Sequence, residues 1–248
     1  MLKPLYRGGL LLPEHQLWFD PRKPKPFAVV SHAHADHVAK HQHYLATPET
    51  IALIRVRMGN TLANRGEALP YGRIYEGDEY RLRFYPAGHV LGSAMAHVET
   101  DDGESLLYTG DFKTRKALSA EAIEIPHAKT LVLETTFGRP DYVFPDFKAT
   151  CVEIYAFCDR AANDGRTPVL LAYSLGKAQE VLKILEHRPE GLMVYKTIVP
   201  LNQVYAHFGV SMPQTRPLDF LNMSGSIVVM PPSVRKELPR KECRVAMV

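Results

Sequence analysis

The sequence predicts a mixed α/β protein built from two units, and three observations carry that expectation. Residues 1 to about 138 alternate short apolar strands with Gly- and Asp-containing turns. Beyond Gly138, strands alternate with amphipathic helices, the pattern of a parallel-sheet α/β unit. At 248 residues the chain is long enough to bury one large core or two smaller ones.

The elements follow in order. Leu17-Trp18-Phe19 reads as a strand stopped by Asp20-Pro21, and Phe27 to Ser31 as a second that runs into a histidine cluster. Thr47 is placed to cap a helix, with Pro48 in its first turn and Ile51, Ile54 and Val56 behind. Glu79 to Tyr85 alternates Tyr80, Leu82 and Phe84 with charged residues, the mark of a half-buried strand. Ala94–Glu99 and Glu104–Tyr108 flank Asp101-Asp102-Gly103, a hairpin turn, and Thr130 to Glu134 is a further strand. The stretch from Arg139 to Asp146 is the expected junction. After it come a helix at Thr150–Asn163 closed by Gly165, a strand at Thr167–Tyr173 and a helix at Ser174–His187. Strands are expected at Gly191–Tyr195 and Ser226–Met230.

Composition bounds the function loosely. With 46% hydrophobic and 23% charged residues the chain is of ordinary globular type, and its formal charge of +3 permits a nucleic-acid partner without demanding one. The three cysteines, Cys151, Cys158 and Cys243, contain no CxxC pair, so neither a disulfide framework nor a thiolate zinc site is indicated. No apolar run approaches the ~18 residues of a membrane span, and the apolar stretch at Leu10–Leu12 is too short for a signal core. A cytoplasmic protein is expected.

The chemistry concentrates in Ser31-His32-Ala33-His34-Ala35-Asp36-His37. Imidazole and carboxylate suit zinc and its neighbours, and in extended chain His32 and His34 point the same way. Asp36 and His37 start a plausible helical turn and leave in another direction, which suggests two metals. His41 and His43, just downstream, read as solvated loop histidines. Two further donors sit in turns after strands: His89 in Ala87-Gly88-His89-Val90-Leu91-Gly92-Ser93, and Asp111 in Tyr108-Thr109-Gly110-Asp111. Asp20 is a candidate acceptor that would hold a ligand imidazole in one tautomer.

Together these motifs resemble the metallo-β-lactamase superfamily. The resemblance implies an αβ/βα sandwich whose mouth holds two divalent ions, with zinc expected and manganese or iron also suited. His32, His34 and His89 would bind one ion, Asp36 and His37 the other, and Asp111 would bridge them. Asp36 would also orient a shared hydroxide for attack at phosphorus.

Within the superfamily, Val38-Ala39 stands where many small-molecule hydrolases carry Gly-Gly. Leu133-Glu134-Thr135-Thr136-Phe137-Gly138 resembles the acidic motif that opens the β-CASP insertion of nucleic-acid-cleaving members, which makes Glu134 a second catalytic candidate. Leu171 to Glu180 resembles a strand-to-helix segment of that insertion, where Ser174, Lys177 and a helix N-terminus could meet phosphate. Arg22, Lys23, Lys25 and Arg139 are further candidates for a basic groove. Gly-His-Val-Leu-Gly-Ser-Ala, Tyr-Thr-Gly-Asp-Phe and Met230-Pro231-Pro232-Ser233 are most similar to bacterial ligase-associated DNA exonucleases.

The expected architecture is therefore a metallo-β-lactamase core at 1–138 and a β-CASP-like α/β domain at 139–248. The expected activity is a metal-dependent exonuclease acting on DNA ends, with a DNA ligase as partner. In one respect the chain departs from the family's pattern: no histidine follows His207, and Arg244 to Val248 reads as a strand with no turn after it. The C-terminal return of the core is thus expected to be missing, the second metal site under-liganded and activity low. The alternatives are a small-molecule metallohydrolase, which leaves the second unit without a task, and a form that binds nucleic acid without cutting it.

Overall fold

The computed structural model describes residues 2–239 and 241–248. The chain divides into two compact units, Met1–Thr135 and Thr136–Val248.

The first unit contains two sheets. In one, β1 (Leu5–Tyr6), β2 (Leu10–Leu12), β3 (Leu17–Phe19), β4 (Phe27–Val29), β5 (His43–Ala46) and β6 (Gly66–Ala68) lie in sequence order. The chain passes from β5 to β6 through α1 (Pro48–Met58) and the one-turn α2 (Asn60–Ala63). In the other, β7 (Ile74–Glu76), β8 (Tyr80–Pro86), β9 (Ala94–Thr100), β10 (Ser105–Tyr108) and β11 (Thr130–Val132) are also neighbours in order. Leu12, Leu17, Phe19, Val29 and Leu45 of the first sheet share one core with Leu82, Phe84, Ala96, Val98 and Leu106 of the second. The alternation read in Glu79–Tyr85 is the physical cause: Tyr80, Leu82 and Phe84 point inward while Arg81 is exposed.

The second unit is a five-stranded sheet with every pair parallel, in the order β14 (Thr215–Pro217), β13 (Gly191–Val194), β15 (Ser226–Met230), β12 (Thr167–Leu171), β16 (Cys243–Met247). Its central strands β12 and β15 are buried throughout, as near-continuous Val/Ile/Leu runs require. Three helices connect the strands: α3 (Phe147–Asn163), α4 (Lys177–Ile184) and α5 (Val199–His207). The protein is thus a mixed α/β fold, and among the described residues no helix is long and apolar enough to cross a membrane. Among the described residues the cysteines form no disulfide; Cys158 and Cys243 are buried and Cys151 is partly so.

Several expectations shift. The helical turn expected at Asp36 and His37 is confined to residues 35–37, where His37 N donates to His34 O at 3.1 Å, and the chain then runs irregularly into β5. The helix expected from Ser174 begins at Lys177, because the Gln179 side chain folds back to accept from Gly176 N at 2.7 Å. α3 starts at Phe147 rather than Thr150, since Asp146 caps it by accepting from Lys148 N and Ala149 N. β11 stops at Val132, two residues short of Glu134.

His41 is the clearest correction. It is fully buried rather than solvated, with Nδ1 3.2 Å from Lys25 N and Nε2 3.3 Å from Ala39 N, one of which the neutral ring accepts from. His43 is exposed and faces Glu67 at 3.2 Å. Burial holds the His41 imidazole down at about 4, outweighing an opposing pull from Asp20, with a lesser contribution in the same direction from the Lys25 charge. Below pH 6.5 the unfolded chain takes up a proton here that the folded chain refuses, so stability falls as pH drops from 6.5 towards 4. The loss approaches ~3 kcal/mol. Urea unfolding at pH 7 and pH 4.5 should show it, and a His41→Gln variant should lose that part of the pH dependence. An equal pH dependence in both proteins would refute the assignment.

A candidate metal centre

Three chain segments deliver the donors. The β4 strand ends at Val29 and releases the His32–His37 turn; β8 ends at Pro86 and opens the turn carrying His89; β10 ends at Tyr108, just before Asp111. One ring or carboxylate atom each from His32, His34, His89 and Asp111 lies within 4.8 Å of the others. His34 Nδ1 is 3.0 Å from His32 Nε2 and 3.2 Å from His89 Nε2. Asp111 Oδ2 is 3.8 Å from His32 Nε2 and 3.6 Å from His89 Nε2. A tetrahedral ion with bonds of about 2.1 Å separates its donors by roughly 3.4 Å. The separations bracket that value, so this donor set fits a zinc-like ion in both chemistry and size.

The other oxygen of Asp111 faces elsewhere. Oδ1 is 3.4 Å from His37 Nε2, and Asp36 Oδ2 lies 3.7 Å from that same nitrogen. The two oxygens of one carboxylate therefore look into two nests, one of three imidazoles and one formed with His37 and Asp36.

Asp20 organises both. It is buried, and its left-handed backbone (φ 44°) aims the side chain inward. Oδ1 accepts from Ser31 N at 2.8 Å; Oδ2 accepts from Ser31 Oγ at 2.5 Å, Tyr108 OH at 2.9 Å and His37 Nδ1 at 2.8 Å. Four donors converge on Asp20, which also lies close to the donor atoms of His32 and His37. Its bond to His37 Nδ1 leaves Nε2 free to face Asp111. Ser31 Oγ, 2.9 Å from His32 Nδ1, does the same for His32.

Charge follows from this packing. Burial, reinforced by the neighbouring His37, His34 and His89, holds the His32 imidazole well below its ordinary value. His89 is brought down to about 3 by burial and by His34 and His37. Both rings are neutral and ready to donate lone pairs. For His37 burial opposes the proton, but the Asp20 hydrogen bond and the charges of Asp20, Asp111 and Asp36 outweigh it and raise the ring to about 9. Asp111 is pushed up by burial and by Glu134, Asp36 and Asp20, against the pull of His37. The carboxylates of Asp20, Asp36, Asp111 and Glu134 near the neutral rings of His32 and His89 make a place for cations.

The turn holding His89 is built tightly. Ser93 Oγ accepts from His89 N at 3.0 Å and Val90 N at 3.1 Å, and Thr47 and Thr50 at the start of α1 both donate to Gly92 O. At Gly92 (φ 75°) a Cβ would meet Glu49 Cβ at 2.5 Å, so only glycine fits. Gly110 matters still more. Its φ is 52°, and a Cβ there would lie 2.6 Å from Ser31 Oγ. Gly110→Ala is expected to cost ~2–3 kcal/mol and to loosen the Ser31–His32 support. Gly103→Ala shares the positive φ but meets nothing within 4 Å, and should cost only about 1 kcal/mol. Equal losses for the two, by urea unfolding, would show that backbone conformation alone is at stake.

The remaining candidates are placed as follows. Glu134 is half-buried, its backbone N donating to Thr109 Oγ1 at 3.4 Å, and its charge reaches Asp111. Lys177 is exposed at the start of α4, and Ser174 Oγ pairs with Thr197 Oγ1 at 2.8 Å, both in the second unit. Lys25 covers the Trp18 ring at 3.5 Å, Arg139 pairs with Asp141 at 2.7 Å, and Arg22 and Lys23 are exposed. Ser31, Tyr108 and Ser93 carry positioning roles that reading the sequence missed. Their only signal was adjacency to the ligand motifs.

No protein-family model matches the chain. Over 233 residues, 93% of the chain, it is 41% identical to a probable DNA ligase of Opitutus terrae, and that stretch is 23% of the ligase. It is 29% identical over 182 residues to an RNase J-like protein of Methanocaldococcus jannaschii, covering 64% of the chain and 43% of that protein. It is also 29% identical over 204 residues to RNase aCSPSF2 of Saccharolobus solfataricus, covering 71% of the chain and 41% of that protein. Both archaeal relatives carry ribonuclease names. The chain spans less than half the length of each of the three.

Proposed function

We propose that the chain carries the metal centre of a nuclease that hydrolyses phosphodiester bonds at DNA ends. The observation behind this reading is the Asp111 carboxylate, whose two oxygens face the His32–His89 nest and His37 separately. Such a bridge suits a pair of divalent ions. His32, His34, His89 and Asp111 would hold one, and His37, Asp36 and Asp111 the other. Divalent ions held there would polarise a water and balance the charge that builds on phosphoryl oxygens.

The chain's own groups do the rest. Asp20 and Ser31 fix the tautomers of His37 and His32, so that Nε2 of each faces the centre. Asp36, with its side chain 74% exposed beside His37, accepts the proton that leaves the attacking water. Glu134 strengthens the negative potential that draws cations in. Ser174 and Lys177 are proposed phosphate contacts of the second unit.

Similarity to a protein named as a DNA ligase, along nearly the whole chain, favours DNA and a place beside strand joining. The relatives named as ribonucleases support RNA as the second reading. The deciding experiment incubates zinc- or manganese-loaded protein with end-labelled single-stranded DNA and RNA of one sequence. Chelator-sensitive shortening of the DNA is expected. A fully metal-loaded protein that leaves both strands whole would end the proposal, and cutting of RNA alone would exchange the first reading for the second.

A further inference from the structure

Beside the metal cluster, in the first unit, lies a groove of about 590 Å³. One wall belongs to the ligand-bearing loop (Ala35, Val38 and Lys40), and the other to the α1–α2 corner (Met58, Leu62 and Arg65). Ala35 sits between His34 and Asp36, so the groove borders the loop that carries the donors. Both walls are held in place. Arg65 Nη1 donates to His41 O at 3.0 Å, and the buried His41 ring lies 3.3 Å from Ala39 N. Gly59, at φ 93°, makes the sharp corner that sets the two helices apart.

The chemistry of the groove differs from that of the neighbouring cluster. Val38, Met58 and Leu62 are half-buried and give it an apolar floor, while Lys40 and Arg65 stand exposed at its rim. Among the described residues that line it none is acidic. A cation would gain nothing there. A ligand with a flat apolar body and an adjoining anion fits, and the volume lies within the range of pockets that take small organic groups.

Resting on the phosphodiesterase reading, we propose that this groove receives the nucleobase adjoining the phosphodiester presented to the metal cluster, with Lys40 meeting the backbone phosphate next to it. The apolar floor accepts any base by its face, so binding there is tolerant of sequence. The metal centre then has a substrate class, a single strand with at least one unstacked base beside the cut, rather than an intact duplex.

The test uses metal-loaded protein with ¹³C-methyl methionines, titrated separately with deoxyadenosine monophosphate and deoxyribose phosphate. The nucleotide is expected to shift the Met58 methyl saturably and to bind about tenfold more tightly than the sugar phosphate. Leu62→Glu should erase that preference while the other methionine signals stay in place. Thr61→Glu, at an exposed position on the same rim, should weaken nucleotide binding about fivefold and guards against misfolding of the first variant. Equal affinity for the two probes with Met58 unmoved would overturn the base site, even if chelator-sensitive DNA cleavage is present. A Met58 shift with base preference in a protein that cuts no nucleic acid would keep the groove and overturn the phosphodiesterase reading instead.

Discussion

Asp111→Asn is expected to slow phosphodiester cleavage about 10³-fold while leaving the protein folded. The side chain is 31% exposed, so its replacement opens no buried cavity. Its importance lies in having two equivalent oxygens. One faces His32 and His89 at 3.8 and 3.6 Å, and the other faces His37 at 3.4 Å. An amide of the same shape keeps one acceptor and turns a donor towards the second nest, which repels a cation there. The loss of charge also removes part of what draws ions to the cluster. Metal analysis should therefore find less metal per chain, and thermal unfolding should move by no more than a few degrees. A variant that holds its metal and keeps cleavage within tenfold of the parent would refute the bridging role.

The second large effect concerns Asp20, which touches no proposed ion. Asp20→Ala strips the acceptor from Ser31 N, Ser31 Oγ, Tyr108 OH and His37 Nδ1 together, all in or near the buried interior. Removing one partner of such a network costs ~3–5 kcal/mol, because the donors left behind have lost their water as well as their acceptor. The left-handed backbone at φ 44° adds strain for alanine that asparagine tolerates. Asp20→Asn should thus remain folded and isolate the electrostatic part: metal affinity lower by 10–100-fold, the usual effect of losing a supporting carboxylate behind a ligand histidine. Denaturant unfolding of the alanine variant and zinc competition with the asparagine variant measure the two parts. Unchanged zinc affinity in Asp20→Asn would mean that the His37 tautomer is set by something else.

That His32, His34, His89 and Asp111 would converge was legible because each follows an apolar strand within a few residues. Such turns display side chains at a sheet's end, and imidazole and carboxylate at that spacing have few other uses. The hairpin around Gly103, the Thr47 cap and the parallel sheet of the second unit were legible for similar reasons: capping, turn and burial rules act over a few residues. Short edge strands such as β1, β6 and β14 carried no alternation long enough to read. α5 was missed because Ile198 offers no capping side chain. His41 misled for a related reason: its partners, Lys25 N and Ala39 N, come from backbone that only the folded loop brings together.

From the order of its residues alone, this chain declares which atoms can bind a metal and which strands carry them. Local chemistry suffices for that, since a ligand's identity and the turn that exposes it lie within one short segment. How Asp111 divides its oxygens, how Asp20 reaches Tyr108 across 88 positions, and where the base-sized groove opens were settled only by packing. Those features depend on distances between segments remote in sequence, and the two sheets of the first unit bring them together when they close on their common core.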